Sequence, residues 1–331
     1  HGHRASPSPQ RALRQGVMES VAGRAPKALL LALGLGIGLL ALLPPSLPTY
    51  VVIVLTESLI YAIGAASLDL LLGFTGLPSL GHAAFFSVGA YATAVLVTRH
   101  QASFGAALAG SVVLAAGVSA AVALLALRAT GIYFMMITLS VAMCAWGLAY
   151  RWVSLTGGDT GIVGIPRPRV PGVGLASGAL AFYYAILALF VVCLTLYLLF
   201  IWSPFGKTLV GIRDSESRMR VLGFNVFLHK HLAMTVAGAF AGVAGSLYAY
   251  YNGFVGPSTV DLAHSMEFVL MVIVGGPGTL VGPVLGAFAI IFLEKMVSVF
   301  TDRWVMVLAA VYVVTALWAP RGILGLLGRA R

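Results

Sequence analysis

Charged residues are scarce in this chain. They make up 9% of its 331 residues, whereas hydrophobic residues make up 60% and the mean hydropathy is +0.99. A soluble globular domain carries roughly 25% charged residues, so this composition excludes that class. Acidic residues are the scarcest, with ten against twenty basic ones and a net charge of +10. Because the basic residues flank apolar runs and form no single patch, their excess indicates orientation in a membrane and not a nucleic-acid partner.

Catalytic and metal-binding motifs are also missing. The two cysteines, Cys144 and Cys193, lie within apolar runs at a spacing that does not suit a metal site. The sequence contains no HExxH, CxxC or Gly-x-Ser-x-Gly pattern. The tripeptide 206–208 resembles the end of a phosphate-binding loop, but Ile201 stands where that loop requires its first glycine. We therefore predict that the chain is not an enzyme, hydrolyses no ATP by itself and binds no metal or other cofactor.

Long apolar runs are abundant. A membrane-spanning helix needs ~20 mostly apolar residues, and about ten runs approach that length. They predict an all-α, polytopic helical membrane protein with about ten transmembrane helices, or eight to eleven depending on how broken or re-entrant segments are counted. The runs cover residues 28–43, 50–72, 80–98, 104–127, 132–150, 180–202, 232–251, 265–275, 283–300 and 304–318.

The polar tails and one polar loop complete the predicted organisation. Residues 1–27 are predicted to be a basic, disordered tail; they begin with His, and Met18 is a candidate native start. Residues 28–318 are predicted to form a single transmembrane domain that contains the charged loop 203–231, and residues 319–331 a second basic tail. Alternate crossing places both tails and the loop on one side with most Lys and Arg residues, so that side is predicted to be cytoplasmic.

The loop is predicted to contain a short, capped helix at about 214–222. Asp214 is suited to accept hydrogen bonds from the first turn, Glu216 suits the positive helix end, and Gly223 can end the helix in the left-handed conformation. A compact helix between membrane spans indicates a surface that a soluble partner grips. The side chains predicted to enter a groove of that partner are Met219, Val221 and Leu222, and those predicted to pair with acids at its rim are Arg213, Arg218 and Arg220.

Two segments rich in glycine and proline, 73–86 and 274–287, interrupt apolar runs. Irregular backbone at membrane depth must be buried in protein or line a cavity, because unpaired N–H and C=O groups are costly in lipid. Paired interruptions of this kind are typical of a solute pathway, and we predict that the two segments lie close together. Loops at the membrane surface are the alternative. The candidate pathway residues in these segments are Thr75, Ser79 and Thr279.

Ionisable residues inside apolar runs are further pathway candidates, since charge in a bilayer is expensive and is retained for function. They are Glu57, Asp69, His82 and Glu267. At ~100° per residue, Glu57 and Asp69 lie about 120° apart around one helix. Such carboxylates either pair with a ligand's amino group, couple protons, cap broken helices or anchor neighbouring spans. Glu294 and Lys295 stand near the end of a run and are predicted to lie at the membrane interface.

Four stretches resemble the LivM-type permeases of branched-chain amino acid ABC importers, a family whose members also serve urea, short amides and aromatic carboxylates. The resemblance extends from about Ala28 to Trp318, and its last two stretches are the most specific. The stretches are GFTGLPSLGHAAFFSVGAYA (73–92), LTGGDTGI (155–162), GIRDSESRMRVLGFNVFLHKHLAM (211–234) and AGVAGSLYAYYNGFVGPSTVDLAHSMEFVLMVIVGGPGTLVGPVLGA (241–287).

The resemblance implies a multi-pass permease subunit of the bacterial inner membrane with both termini in the cytoplasm. It further implies a second, LivH-like permease, two cytoplasmic ATPase subunits that carry ATP and Mg, and a periplasmic substrate-binding protein. The family's cytoplasmic coupling helix corresponds to about Arg213 to Gly223. The connection 151–179 is a candidate contact for the extracytoplasmic partner or a passive loop, and it is predicted to carry a short helix or hairpin.

Two function classes remain. An ATP-driven importer permease, with branched-chain or other hydrophobic amino acids as substrates, is favoured by the charged loop. The alternative is an ion-coupled secondary transporter of small solutes that works through the carboxylates Glu57, Asp69 or Glu267.

Overall fold

The computed structural model describes residues 26–166, 179–279 and 281–301, together with positions 306, 307, 309–311 and 313. Residues 1–25, part of the connection 151–179, most of the run 304–318 and the basic tail 319–331 lie outside the described residues. The chain divides into two units, His1–Leu47 and Pro48–Arg331. In the first unit, helix α1 (Pro26–Leu42) is followed by the 3₁₀ turn Pro44–Ser46, in which Pro44 occupies the first position. That position suits proline, because its N–H would have no helical partner there.

The second unit is built of helices joined by short connections. A six-residue π-helical turn, Leu70–Thr75, continues directly from α2, and two 3₁₀ turns, Gly158–Thr160 and Pro257–Val260, lie in connections. The helices are α2 (Thr49–Asp69), α3 (His82–His100), α4 (Phe104–Ala126), α5 (Ile132–Arg151), α6 (Val153–Thr156), α7 (Ala179–Trp202), α8 (Pro204–Asp214), α9 (Glu216–Val221), α10 (Val226–Asn252), α11 (Leu262–Gly275) and α12 (Gly282–Phe300).

The helical membrane fold is confirmed, but the number of spans is lower than predicted. Among the described residues, six helices are long and apolar enough to cross a membrane: Thr49–Thr75, Phe104–Ala126, Ile132–Arg151, Ala179–Trp202, Val226–Asn252 and Gly282–Phe300. The count is lower than ten because three of the predicted runs form short or more polar helices and a fourth, 304–318, lies mostly outside the described residues. The 14 residues of α11 are about 21 Å long, less than a hydrocarbon core of ~30 Å.

Helix α2 lies at the centre of this unit and is buried along most of its length. It packs against α7, α10, α11 and α12, while α10 also lies along α3 and α4. The contact between α10 and its two neighbours depends on small residues. A Cβ atom at Gly245 would collide with the carbonyl of Phe86, and one at Gly242 would lie 2.6 Å from the Cβ of Ala115. Close backbone approach of this kind is how helices associate in membranes.

A two-stranded antiparallel sheet joins two connections. Strand β1 (Ile162–Val163) follows α6, and strand β2 (Phe254–Val255) follows α10, with Ile162 opposite Val255. Gly161 precedes β1 with φ +65°, and a Cβ atom there would collide with the carbonyl of Val255, so this position requires glycine. The described part of the connection 151–179 therefore contains a short helix and a strand, in agreement with the prediction.

Candidate functional site

Helices α8 and α9 lie at the end of the bundle where α2 and α7 end and α10 begins. Ser203 begins α8, because its Oγ accepts a hydrogen bond from the N–H of Gly206 at 3.2 Å, and proline follows at the first position. Leu209 and Ile212 are buried against the bundle. Helix α8 is therefore fixed to the membrane domain by one apolar side.

The predicted start of α9 was wrong. Asp214 does not cap the helix; it is the last residue of α8, and its Oδ1 lies 3.4 Å from the Nε of Arg213. The cap at Ser203 starts a helix that already includes Asp214, and the chain becomes extended only at Ser215, with φ −164°. The helix begins at Glu216, and Ser215 makes no side-chain capping hydrogen bond.

Glu216 fixes α9 to the first turns of α10. Its carboxylate oxygens lie 2.7 Å from the Nζ of Lys230 and 2.6 Å from the Nη2 of Arg220. Burial alone would raise the pKa of Glu216, but the hydrogen bond and charge of Lys230, together with Arg220, outweigh it and hold the pKa below its ordinary value of 4.5. The carboxylate is thus ionised at neutral pH, and the stabilisation is lost only as the pH falls below 4.5.

The end of α9 is confirmed at Gly223. This glycine has φ +86°, its N–H donates to the carbonyl of Arg220 at 3.0 Å, and the N–H of Phe224 donates to the carbonyl of Met219 at 3.1 Å. These two hydrogen bonds form a Schellman motif, which satisfies carbonyl groups at the helix end.

Replacing Gly223 by Val is expected to destabilise α9 by about 1–2 kcal/mol, because a β-branched residue meets steric strain at positive φ. No heavy atom lies within 4 Å of a Cβ atom at this position, so the strain comes from the backbone alone. Amide hydrogen exchange at residues 216–224 should become roughly 5–30 times faster. Ser217→Val introduces the same side chain at an exposed helical position and is the control; equal exchange rates in the two variants would contradict the assignment.

An exposed apolar surface follows from this anchoring. We call it the docking face: Val221, Leu222, Phe224, Phe227 and Leu228, all exposed. Val221 is 88% exposed and Leu222 65%, values that are high for aliphatic side chains held in fixed positions.

The other residues predicted to contact the partner divide into two groups. Arg218 and Arg220 are exposed beside the docking face. Met219 and Arg213 are placed differently from the predicted contacts. Met219 is half-buried and lies over Gly211, with its Sδ 2.9 Å from where a Cβ atom of Gly211 would be. Arg213 points toward the two broken segments.

The two broken segments lie against each other, as predicted. The N–H of Gly278 donates to the Oδ1 of Asp69 at 2.7 Å, and Tyr197 donates to the Oδ2 of the same carboxylate at 3.2 Å. A Cβ atom at Gly73 would collide with the backbone of Gly278. Asp69, which precedes the first segment, is fully buried, so the contact between the two segments is packed inside the protein.

Arg213 joins α8 to this contact. Its Nη1 donates to the carbonyl of Gly73 at 2.5 Å. The same Nη1 lies 3.0 Å from the position that a Cβ atom of Gly278 would occupy. The Cγ of Arg213 lies 2.8 Å from the position that a Cβ atom of Gly76 would occupy, and Gly76 has φ +73°. We call Asp69, Gly73, Arg213 and Gly278 the glycine junction.

The hydroxyl groups predicted to line a pathway serve local backbone in this conformation. Thr75 donates to the carbonyl of Leu70 at 2.7 Å, and Thr279 donates to that of Gly276 at 2.6 Å. Thr75 and Ser79 are buried, whereas Thr279 is partly exposed.

The other ionisable candidates lie on α2, α3, α11 and α12 and contact residues outside the glycine junction. Lys295 lies 3.0 Å from the Oε1 of Glu57, and Tyr251 donates to the Oε2 of Glu57 at 3.1 Å. Glu267 lies 3.5 Å from His264. His82 is fully buried with its Nε2 2.5 Å from Ser67 Oγ. Within the described part of the chain, no group of three or more His, Cys, Asp or Glu side chains is arranged to hold a metal ion.

Residues 50–317 match the family model described as branched-chain amino acid transport system / permease component. The chain belongs to this family. The high-affinity branched-chain amino acid transport system permease protein LivM of Escherichia coli K12 is 28% identical over 81% of this chain and 68% of its own length. LivM of Salmonella typhimurium LT2 is 29% identical over the same shares. A probable LivM of Methanocaldococcus jannaschii is 25% identical over 42% of this chain and 41% of its own. No solved structure matches.

The permease is thus a transport subunit and not an enzyme. Sequence reasoning missed two of its contacts. Lys295 was predicted to lie at the membrane interface, and that prediction did not include its contact with Glu57. Arg213 was predicted to point toward the soluble partner, but its side chain points toward the broken segments. The only sequence signal for this position is the absence of side chains at Gly76 and Gly278, which leaves space for the arginine.

Proposed function

We propose that the permease is a membrane subunit of an ATP-driven, binding-protein-dependent importer for branched-chain or other hydrophobic amino acids. The support for this substrate class is similarity, because two relatives named as branched-chain amino acid permeases match over 81% of the chain. The docking face is the single observation that carries the ATP-driven mechanism. A secondary transporter needs no rigid, apolar helix outside its membrane spans.

Force transfer requires a surface that is both anchored and free to bind. Helix α9 meets both conditions, because Glu216 ties its start to Lys230 and the Schellman motif fixes its end, while Val221 and Leu222 stay exposed. Burial of a Leu side chain contributes about 1.5–3 kcal/mol to binding, so a few such residues suffice for an interface hot spot. Arg218 and Arg220 would pair with acidic groups around the partner's groove.

The proposed partners are two cytoplasmic ATPase subunits, a second LivH-like permease and a periplasmic binding protein. The basic loop with α8 and α9 supports a cytoplasmic position for this end, since Lys and Arg are retained on that side of the inner membrane. Both termini would then be cytoplasmic. ATP and Mg would be bound by the ATPase subunits, because this chain contains no phosphate-binding loop.

The translocation pathway is proposed to run past the two broken segments. A cavity of about 200 Å³ lies at the bundle end opposite the glycine junction. It is lined by Ile53, Thr56, Ala179, Phe182, Tyr251 and Asn252. Tyr251, which lines this cavity, donates a hydrogen bond to Glu57. In this arrangement the cavity is an entrance on the binding-protein side, and Thr75, Ser79, His82, Glu267 and Thr279 lie deeper.

Co-purification tests the proposed function directly. A tagged permease extracted in mild detergent is expected to bring down two kinds of partner, an ATPase subunit and a second permease, in a stable assembly. The Glu216→Gln variant is the matched test of the anchor: it removes the charge that holds Lys230 and should reduce ATPase recovery more than recovery of the second permease. Isolation of the permease as an active transporter without any ATPase would overturn the proposal.

A further inference from the structure

The glycine junction connects three separate elements through one side chain. Arg213 belongs to the last turn of α8, the Gly73 carbonyl belongs to the π-helical turn after α2, and Gly278 lies in the break between α11 and α12. The Asp69 carboxyl group and the Arg213 guanidinium both contact Gly278. Without a Cβ atom at Gly76 and Gly278, the arginine side chain has room to reach this position.

Helix α9 is connected to the turn that carries Arg213 by two backbone hydrogen bonds and one side-chain contact. The N–H of Ser215 donates to the carbonyl of Gly211 at 3.0 Å, and the N–H of Met219 donates to that of Ser215 at 3.2 Å. Met219 also packs on Gly211, so the two helices contact each other by side chain as well as by backbone. A displacement of the docking face therefore shifts the last turn of α8, which carries Arg213.

We propose that Arg213 is a positioning residue that transmits movement of α8 and α9 to the two broken segments by holding Gly73 against Gly278. This inference rests on the proposed function, because it assumes that an ATPase moves α9. The guanidinium suits this task, since its planar group of five N–H donors contacts a carbonyl while remaining charged beside Asp69. The contact assigns to Arg213 an intramolecular role that differs from pairing with acids of the ATPase.

The test uses the complete assembly in vesicles, with ATP hydrolysis and leucine uptake measured on the same sample. Arg213→Gln is expected to retain the ATPase subunits and to hydrolyse ATP. Uptake per ATP should fall about tenfold, which is the factor that corresponds to the free energy of one lost charge-assisted hydrogen bond. Lys207→Gln is the matched control, because Lys207 is an exposed cation of the same helix. Arg213→Lys keeps the charge without the planar donor group and should show an intermediate loss.

A second readout separates transmission from a merely structural role. In a variant with Cys144 and Cys193 replaced by Ala, Thr279→Cys provides one thiol beside the junction. Its rate of reaction with a small water-soluble reagent should change when a non-hydrolysable ATP analogue closes the ATPases. Adding Arg213→Gln should remove that response to nucleotide, whereas Lys207→Gln should preserve it.

The results distinguish failure of the role of Arg213 from failure of the proposed function. Unchanged uptake per ATP in Arg213→Gln, or loss of the ATPases from that variant, would overturn the role of Arg213 while leaving the importer assignment intact. If Arg213→Gln fails to accumulate in the membrane, Arg213→Lys decides, and full coupling in it would equally count against the inference. If the unsubstituted assembly shows no ATP-dependent uptake, the proposed function itself fails and this role fails with it.

Discussion

Leu222→Asp is expected to abolish ATP-driven uptake while leaving the permease in the membrane. Leu222 is 65% exposed, so the substitution removes little buried surface from the isolated chain. Binding would lose the roughly 1.5–3 kcal/mol from burial of the side chain, and an unpaired carboxylate in the partner's groove would add a desolvation cost. The combined loss corresponds to at least about a hundredfold weaker ATPase binding.

Three measurements check this result. Membrane abundance should equal that of the unsubstituted permease, ATPase recovery in mild detergent should fall, and leucine uptake in vesicles should reach background. Leu222→Met is the control, because it conserves an apolar side chain of similar volume and should retain uptake. Full uptake by Leu222→Asp would remove α9 from the coupling surface.

Uptake by the complete assembly is expected to require ATP and the binding protein and to resist a protonophore. The carboxylates that favour a proton-coupled mechanism already have structural partners. Glu57 is paired with Lys295 at 3.0 Å, and Asp69 accepts hydrogen bonds from Gly278 and Tyr197. A carboxylate that joins helices is a poor proton carrier, since protonation would cancel the charge attraction between Glu57 and Lys295 and weaken the hydrogen bonds that Asp69 accepts.

Sealed vesicles provide the measurement. A pH-sensitive dye should confirm that the protonophore collapses the gradient, while uptake continues at an unchanged rate with ATP present. Omitting ATP or the binding protein should each reduce uptake to background. Collapse of uptake on addition of the protonophore, with ATP still plentiful, would favour the ion-coupled secondary transporter.

Local chemistry made some features predictable from the sequence. Gly223 ends a helix because the residues before it form helix and only glycine takes positive φ without strain. The cap at Asp214 was predicted wrongly for an equally local reason: Ser203 and Pro204 start α8 early enough to include it. The number of spans could not be predicted from hydropathy, because hydropathy reports how apolar a run is and not how long its helix is. The length of α11, for example, depends on where Gly276 breaks the backbone.

The site was harder to predict because its contacts join distant parts of the chain. Glycine-rich segments at 73–86 and 274–287 indicated irregular backbone, and their proximity followed from the cost of unpaired backbone groups in lipid. Nothing in the spacing of Arg213 distinguishes a side chain that points to a soluble partner from one that contacts Gly73. The pairing of Lys295 with Glu57 likewise depends on how α12 packs against α2.

The packing of α3, α4 and α10 has a mechanical consequence. Gly245 brings backbone against the Phe86 carbonyl, Ser119 donates to the carbonyl of Met234 at 2.7 Å, and Thr93 donates to Ser246 at 2.7 Å. Sliding one helix by a single residue, ~1.5 Å, would drive side chains into neighbouring backbone and break these hydrogen bonds. We therefore expect the three helices to move as one rigid body, with conformational change concentrated in the segments around that body.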